Sequence, residues 1–132
     1  MSTGRGARRL VGDALELLAQ GLENTVDEVL TKEFQSRDWN KKWAAEESAK
    51  RGHPFSYEKD DLQTQLQALI SRRHLFRGQL ADTHLDQART LRSVRNRWAH
   101  LQPFSMKDAL DVVGTVEALL RAVGAIALAE EA

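Results

Sequence analysis

The segment Val94-Arg95-Asn96-Arg97-Trp98-Ala99-His100 combines a helical hydrophobic pattern with a cluster of polar side chains. Around it, apolar residues recur at steps of three and four, the spacing that forms one face of an α-helix. These residues are Ala88, Leu91, Val94, Trp98 and Leu101. The pattern predicts a helix over about 84–101 that packs this face, including Trp98, against a core.

The same periodicity continues through the rest of the chain, and no segment alternates for long enough to predict a strand. Further helices are predicted over about 10–34, 38–51, 57–78 and 105–126. Gly21 predicts a break or bend in the first of them, because glycine is unfavourable inside helices. The expected fold is therefore an all-α, up-and-down bundle of about five or six helices.

Polar residues mark two helix starts. Thr83 with Asp86, and Ser105 with Asp108, have the spacing of a capping box with an acid at its third position. Trp39 and Trp43 are four residues apart and share one helix face. They can dock that helix on the bundle or stack nucleobases, and docking is favoured because the helix has few other apolar residues.

Length and composition indicate a single-domain protein without disulfides, membrane spans or a secretory signal. The 132 residues correspond to one domain, 1–132, although the chain could also be the N-terminal part of a longer protein. The absence of cysteine excludes disulfides and fits a cytoplasmic location. No apolar run predicts a membrane span, and the basic start at 1–9 lacks the apolar stretch of a secretory signal.

Nineteen basic and nineteen acidic residues give a formal net charge of zero. A uniformly basic nucleic-acid-binding surface is therefore not expected. The arginines nevertheless cluster in the last two helices before Pro103; they are Arg72, Arg73, Arg77, Arg89, Arg92, Arg95 and Arg97. Two interpretations remain open. The arginines either form a basic face or pair with acids on neighbouring helices.

The polar cluster suits phosphodiester chemistry. Asn96 and His100 are four residues apart and lie on one helix face, and the long side chain of Arg95 can reach the same surface. An imidazole can transfer a proton, while a guanidinium can bind a phosphate undergoing transfer. No metal-binding pattern, phosphate loop or cofactor fingerprint occurs, so neither a metal nor a cofactor is expected.

Arg95-Asn96-x-x-x-His100 resembles the signature of the HEPN superfamily (higher eukaryotes and prokaryotes nucleotide-binding). With Trp98, Gln102 and the apolar helix that follows, the chain is similar to the branch named after a eukaryotic transcription-associated endoribonuclease. The resemblance covers about 10–128. It implies a small all-α domain, a homodimer with two facing motifs, and metal-independent RNA cleavage by the 2′-hydroxyl, in a defence or toxin-like setting.

The resemblance also implies roles for individual residues. His100 would be the general acid or base, Arg95 would hold the scissile phosphate, and Asn96 would orient the phosphate or His100. Arg89, Arg92 and Arg97 are expected to contact the RNA backbone, from their positions in this chain alone.

The main alternative is a non-catalytic module that dimerises a larger protein or binds a partner. A third is a toxin-like protein regulated by modification of its site or by an antitoxin-like partner. An enzyme needs Arg95 and His100 accessible in one cleft, whereas a module would bury or pair them.

Overall fold

The structure is a computed structural model that describes residues 3–132, with side chains from Arg5 onward. Its described residues form six α-helices and one 3-10 helix, and they contain no strand. The helices are α1 (Thr3–Phe34), α2 (Trp39–Arg51), α3 (Leu62–Ser71), α4 (Asp82–Ala99), α5 (Met106–Ala122) and α6 (Ile126–Glu131), with the 3-10 helix at Arg73–Leu75. The predicted all-α helical bundle is confirmed. No helix in this part of the chain is long and apolar enough to cross a membrane.

Helix α1 runs without interruption through Gly21, so the predicted break was wrong. Gly21 faces the fully buried Leu120 of α5, and a Cβ atom at Gly21 would lie 2.2 Å from Cδ2 of Leu120. The glycine therefore allows α1 and α5 to approach closely. Packing between the helices stabilises α1 enough to offset the low helix propensity of one residue.

Helix α2 docks on the bundle through its two tryptophans, as predicted. Trp39 and Trp43 are both buried. The indole Nε1 of Trp39 donates a hydrogen bond to Oδ1 of Asp27 at 2.8 Å, and the ring of Trp43 stacks on Tyr57 at a centroid distance of 4.2 Å. Base stacking on these two indoles is excluded in this fold because no face is left exposed.

A long helix was predicted over 57–78, and both of its predicted ends were wrong, since α3 spans Leu62–Ser71. Asp61 caps α3 by accepting a hydrogen bond from the backbone N–H of Gln63, so the helix begins at Leu62. Tyr57 lies in the preceding irregular segment, where its ring is held by Trp43. The helix ends at Ser71, and the chain turns through Arg73–Leu75 before α4.

Helix α4 begins at Asp82, with Ala81 at the N-cap and no side-chain capping bond. The prediction that Thr83 caps this helix was therefore wrong. Its buried face consists of Leu85, Ala88, Leu91 and Val94. Leu101 was predicted to be in the core but is 78% exposed. The helix has already ended at Ala99, so the helical period no longer sets the direction of the Leu101 side chain.

Ser105 and Asp108 form the predicted capping box at the start of α5. The single last helix predicted to reach Ile126 is instead divided at Gly124, whose φ of +82° is the left-handed conformation that favours glycine. The short α6 follows and returns toward α1, since Ala125 and Leu128 lie beside Gly21.

Helices α3, α4 and α5 alternate in direction. Arg73, just after α3, pairs with Asp82 at the start of α4, while Arg92 further along α4 reaches Gln67 of α3. The far end of α4 meets the first turns of α1, and α5 then follows α1 in the same direction. The end of α4 and the start of α1 therefore lie side by side.

Candidate functional site

The polar cluster predicted from the sequence lies where α4 ends. The backbone N–H of His100 donates to the carbonyl oxygen of Asn96 at 3.0 Å, which closes the last turn and makes His100 the C-cap. Leu101 then has a positive φ of 59°, and the chain reverses toward α5. The histidine is thus held by a helix end rather than by a loose loop.

Asn96 and His100 are both exposed to solvent. Neither side chain forms a hydrogen bond or ion pair with the residues that the structure describes. Asn96 lies in the last turn of α4 and His100 is its C-cap, so about one helical turn separates the two residues. Their polar atoms are therefore available to a bound molecule.

Arg95 points elsewhere. It is half-buried and lines a cleft between α1 and α4, whereas Asn96 and His100 are not among the residues of that cleft. The direction differs because consecutive residues on a helix are about 100° apart. The structure thus places Arg95 at the edge between two surfaces, one with the cleft and one with Asn96 and His100.

This α1–α4 cleft has a volume of about 560 Å³. Four of its lining residues are arginines, two are acids, and most of the others are apolar or small. The lining residues are Arg5, Arg8, Arg9, Gly12, Asp13, Leu15, Glu16, Ala19, Leu62, Arg95 and Trp98. A concave site with an apolar floor and convergent charged groups is typical of ligand-binding pockets.

No functional role was predicted from the sequence for the three arginines of α1, which are Arg5, Arg8 and Arg9. They were described only as part of a basic N-terminal segment. A signal was present: Arg5, Arg9, Gly12 and Glu16 follow one another at steps of four, three and four. That spacing places them on one face of a helix. Only the packing of α1 beside α4 shows that this face meets Arg95.

Trp98 is 36% exposed, so its predicted core position is realised only in part. Its Nε1 donates to the backbone carbonyl of Arg8 at 3.2 Å, and the guanidinium of Arg8 lies 4.9 Å from the centroid of the indole. The edge of the ring rests on Gly12, where a Cβ atom would lie 3.0 Å from Nε1. The indole thus fills the junction of the two helices and keeps part of its surface in the cleft.

The three arginines predicted to contact RNA differ in their surroundings. Arg92 donates to Oε1 of Gln67 at 3.2 Å. Arg97 donates to the carbonyl of Pro103 at 2.8 Å and lies over the ring of Phe104, which fixes the turn before α5. Arg89 is exposed and has no ion pair within the described part of the chain. Their contact with RNA stays a prediction.

Other arginines are neutralised by acids. Arg72 pairs with Glu46, Arg73 with both Asp82 and Asp86, and Arg77 with Asp82. Arg97 also pairs with Asp108, at 3.7 Å from Nη2 to Oδ2. Of the two interpretations of the arginine-rich helices, pairing therefore applies to these four. Among residues 5–132, no group of three or more His, Asp or Glu side chains is arranged to hold a metal ion.

Comparison with known families gives a match over most of the chain. Residues 13–124 match the family model described as Swt1-like HEPN. The matched range contains α2 to α5 and the whole of the Arg95–His100 segment. Searches of curated proteins and of solved structures returned no match.

Proposed function

The chain belongs to the Swt1-like HEPN family, and from this premise we propose that it is a metal-independent endoribonuclease domain with its site at the end of α4. One observation carries the proposal. Asn96 and His100 are both exposed at the end of α4, about one turn apart, and neither they nor Arg95 are engaged by other described side chains. Acid–base and phosphate-binding groups must be able to reach a bound molecule, and these side chains meet that requirement.

The proposed reaction needs a proton acceptor, a proton donor and a cation. The 2′-oxygen of the RNA attacks the adjacent phosphorus, the bond from phosphorus to the 5′-oxygen breaks, and a 2′,3′-cyclic phosphate and a 5′-hydroxyl result. His100 takes the proton from the 2′-hydroxyl or gives one to the leaving 5′-oxygen. Arg95 binds the phosphate and stabilises the charge that develops on its oxygens.

A second copy of the chain completes the site in this proposal. One protomer supplies one His100, and general acid and general base chemistry at the same phosphate needs two proton-transferring groups. Large apolar side chains are exposed around the motif, among them Leu101, Met106 and Leu110. Such a surface next to polar groups supports burial against a partner.

Leu101 offers a test of the dimer. Its positive φ strains a leucine, and asparagine tolerates this conformation better. If Leu101 has no partner, Leu101→Asn should be neutral or stabilising and leave the mass in solution unchanged. If it packs against a second copy, the dimer should weaken although the backbone strain is relieved. Sedimentation equilibrium distinguishes the two results, with Ile126→Asn as the control for an exposed apolar residue on α6.

The activity is tested by incubating the purified domain with single-stranded RNA in EDTA and identifying the product ends. We expect 2′,3′-cyclic phosphates, and a rate at least about 100-fold lower for His100→Ala. His74→Ala is the matched control because His74 is exposed and lies outside the motif. Arg95→Ala should also abolish cleavage. Before their cleavage rates are compared, all variants are checked for the same melting temperature as the wild type.

An interaction module is the second candidate, favoured by the same exposed apolar residues around the motif. It predicts a dimer without cleavage, and an unchanged dimer in His100→Ala. Cleavage by the wild-type protein that persists in both His100→Ala and Arg95→Ala would contradict the ribonuclease site proposed here.

A further inference from the structure

Four arginines lie together at one end of the bundle, in the α1–α4 cleft. Several arginines elsewhere form ion pairs, as in Arg51 with Glu47 and Arg121 with Glu117. The four arginines of the α1–α4 cleft form no ion pair with any described residue, although Asp13 and Glu16 line the same cleft. A chain with no net charge therefore presents a local cationic site.

Arg8 shows that this site lacks an acceptor. Its Nη2 donates to the carbonyl of Trp98, which occupies one side of the guanidinium. Its Nη1 is shielded from solvent and has no hydrogen-bond partner among the described residues. A buried donor without a partner is unfavourable, so a shift of the guanidinium that brings Nη1 to an anionic oxygen in the cleft would be favourable.

The floor of the cleft is suited to a flat apolar group. Leu15, Ala19 and Leu62 line it together with the partly exposed indole of Trp98. Gly12 lets the indole rest directly on α1, since a Cβ atom there would press against the ring. Nucleobases stack on such aromatic surfaces with little dependence on base identity.

The two carboxylates favour a ligand that also carries donors. Asp13 and Glu16 would repel a polyanion that offered only phosphate oxygens. Ribose hydroxyls and base amino groups can donate to a carboxylate, and the 2′-hydroxyl is the donor that distinguishes RNA from DNA. An acidic peptide would match the arginines but would leave both carboxylates and the apolar floor without complementary groups.

We propose that the α1–α4 cleft binds one nucleotide of single-stranded RNA next to the phosphate held by Arg95. The base lies against Trp98 and Leu62, and Arg5 and Arg9 bind the flanking phosphates. This subsite rests on the proposed ribonuclease function, because Arg95 is the residue that connects the cleft with Asn96 and His100. It extends the RNA-binding surface onto α1, outside the Arg95–His100 motif.

The test measures RNA binding separately from cleavage. The full chain carrying His100→Ala, which leaves RNA uncut under the proposed mechanism, is titrated with a fluorescent single-stranded RNA at several salt concentrations. Arg5→Gln and Arg9→Gln should each weaken binding and reduce the salt-dependence slope by about 0.7, the value for one phosphate contact on a single strand. Trp98→Leu should weaken binding by about tenfold, and Trp98→Phe by less.

Arg37→Gln is the matched control. Arg37 is exposed just beyond the other end of α1, and the substitution removes the same charge. The end of α1 lies about 22 Å along the helix axis from Ala19, the α1 lining residue of the cleft that is nearest to that end. Single-stranded DNA of the same sequence should bind more weakly than RNA. Equal RNA binding by Arg5→Gln, Arg9→Gln and Arg37→Gln would overturn the subsite. So would cleft-dependent binding of a glutamate-rich peptide in preference to RNA.

The outcomes for the two proposals are distinguishable. If His100→Ala abolishes cleavage while Arg5→Gln and Arg9→Gln bind and cleave like the wild type, the ribonuclease site stands and the subsite fails. If the wild type never cleaves RNA but binds it through Arg5, Arg9 and Trp98, the catalytic proposal fails and the cleft remains an RNA-binding site.

Discussion

Arg8 and Trp98 hold each other through two reciprocal hydrogen bonds. The guanidinium of Arg8 donates to the backbone carbonyl of Trp98, and the indole of Trp98 donates to the backbone carbonyl of Arg8. The guanidinium also covers the ring. One pair of residues 90 positions apart thereby joins the first turns of α1 to the last turn of α4. Both residues line the α1–α4 cleft together with Arg95.

Arg8→Lys should weaken this junction although it retains the charge. An ammonium lacks the planar, forked geometry that lets a guanidinium cover the indole while it donates to the carbonyl. We expect a loss of about 1 kcal/mol in the free energy of unfolding and a change in tryptophan fluorescence, both measured during urea denaturation. Arg9→Lys, on an exposed neighbour, should change stability by less than about 0.5 kcal/mol. Equal effects of the two substitutions would contradict a specific role for Arg8.

Gly21→Ala should destabilise the protein although alanine is the better helix former. The added Cβ meets the buried Leu120, and overpacking of this kind costs about 1–3 kcal/mol. Gly114→Ala is the matched control, since nothing lies within 4 Å of a Cβ at that position in α5. It should stabilise by about 0.5–1 kcal/mol through helix propensity alone. Opposite shifts in melting temperature are expected for these identical substitutions, and a gain from both would exclude tight α1–α5 packing at Gly21.

Ser105→Ala should cost about 1 kcal/mol, because Ser105 accepts a hydrogen bond from the backbone N–H of Asp108 and completes a capping box. Thr83→Ala should change stability by less than about 0.5 kcal/mol, since Thr83 lies inside α4 and caps nothing. The two sites have the same sequence signal, so comparing their melting temperatures tests the structure rather than the motif. A comparable loss from Thr83→Ala would place the true start of α4 later.

Asp27 should make stability depend on acid pH. Burial raises the pKa of Asp27, but hydrogen bonds from Trp39 and Lys59 lower that pKa by more, and the result lies below the ordinary value of 3.8. Because the folded pKa is the lower one, the stabilisation is present above the unfolded pKa and is lost as pH falls through the folded pKa.

The measurement compares wild type and Asp27→Asn by thermal unfolding between pH 7 and pH 2. The side chain is 41% exposed, so after solvent screening we expect a difference of about 0.5–1 kcal/mol at pH 5–7 that shrinks below about pH 3.8. A difference that stays constant down to pH 2 would show that the charge of Asp27 contributes nothing.

Much of the fold could be predicted from local patterns. Helix α2 and the start of α5 follow from periodicity and capping signals that act within a few residues, and both were predicted closely. Errors arose where contacts distant in sequence decide the outcome. Gly21 sits in a continuous helix that packs closely on Leu120, and the ring of Tyr57, which was predicted to lie in a helix, stacks on Trp43. Hydrophobic periodicity does not contain this information.

The sequence by itself determined the helical class of the protein and predicted the Arg95–His100 motif, because both depend on residue types at short spacing. Tertiary structure decided which charges act together. It pairs Arg73 with acids, anchors Arg97 at a turn, and brings Arg5 and Arg9 of α1 to the cleft of Arg95. Charge interactions depend on distance in space, and the chain sets that distance only when α1 and α4 pack side by side.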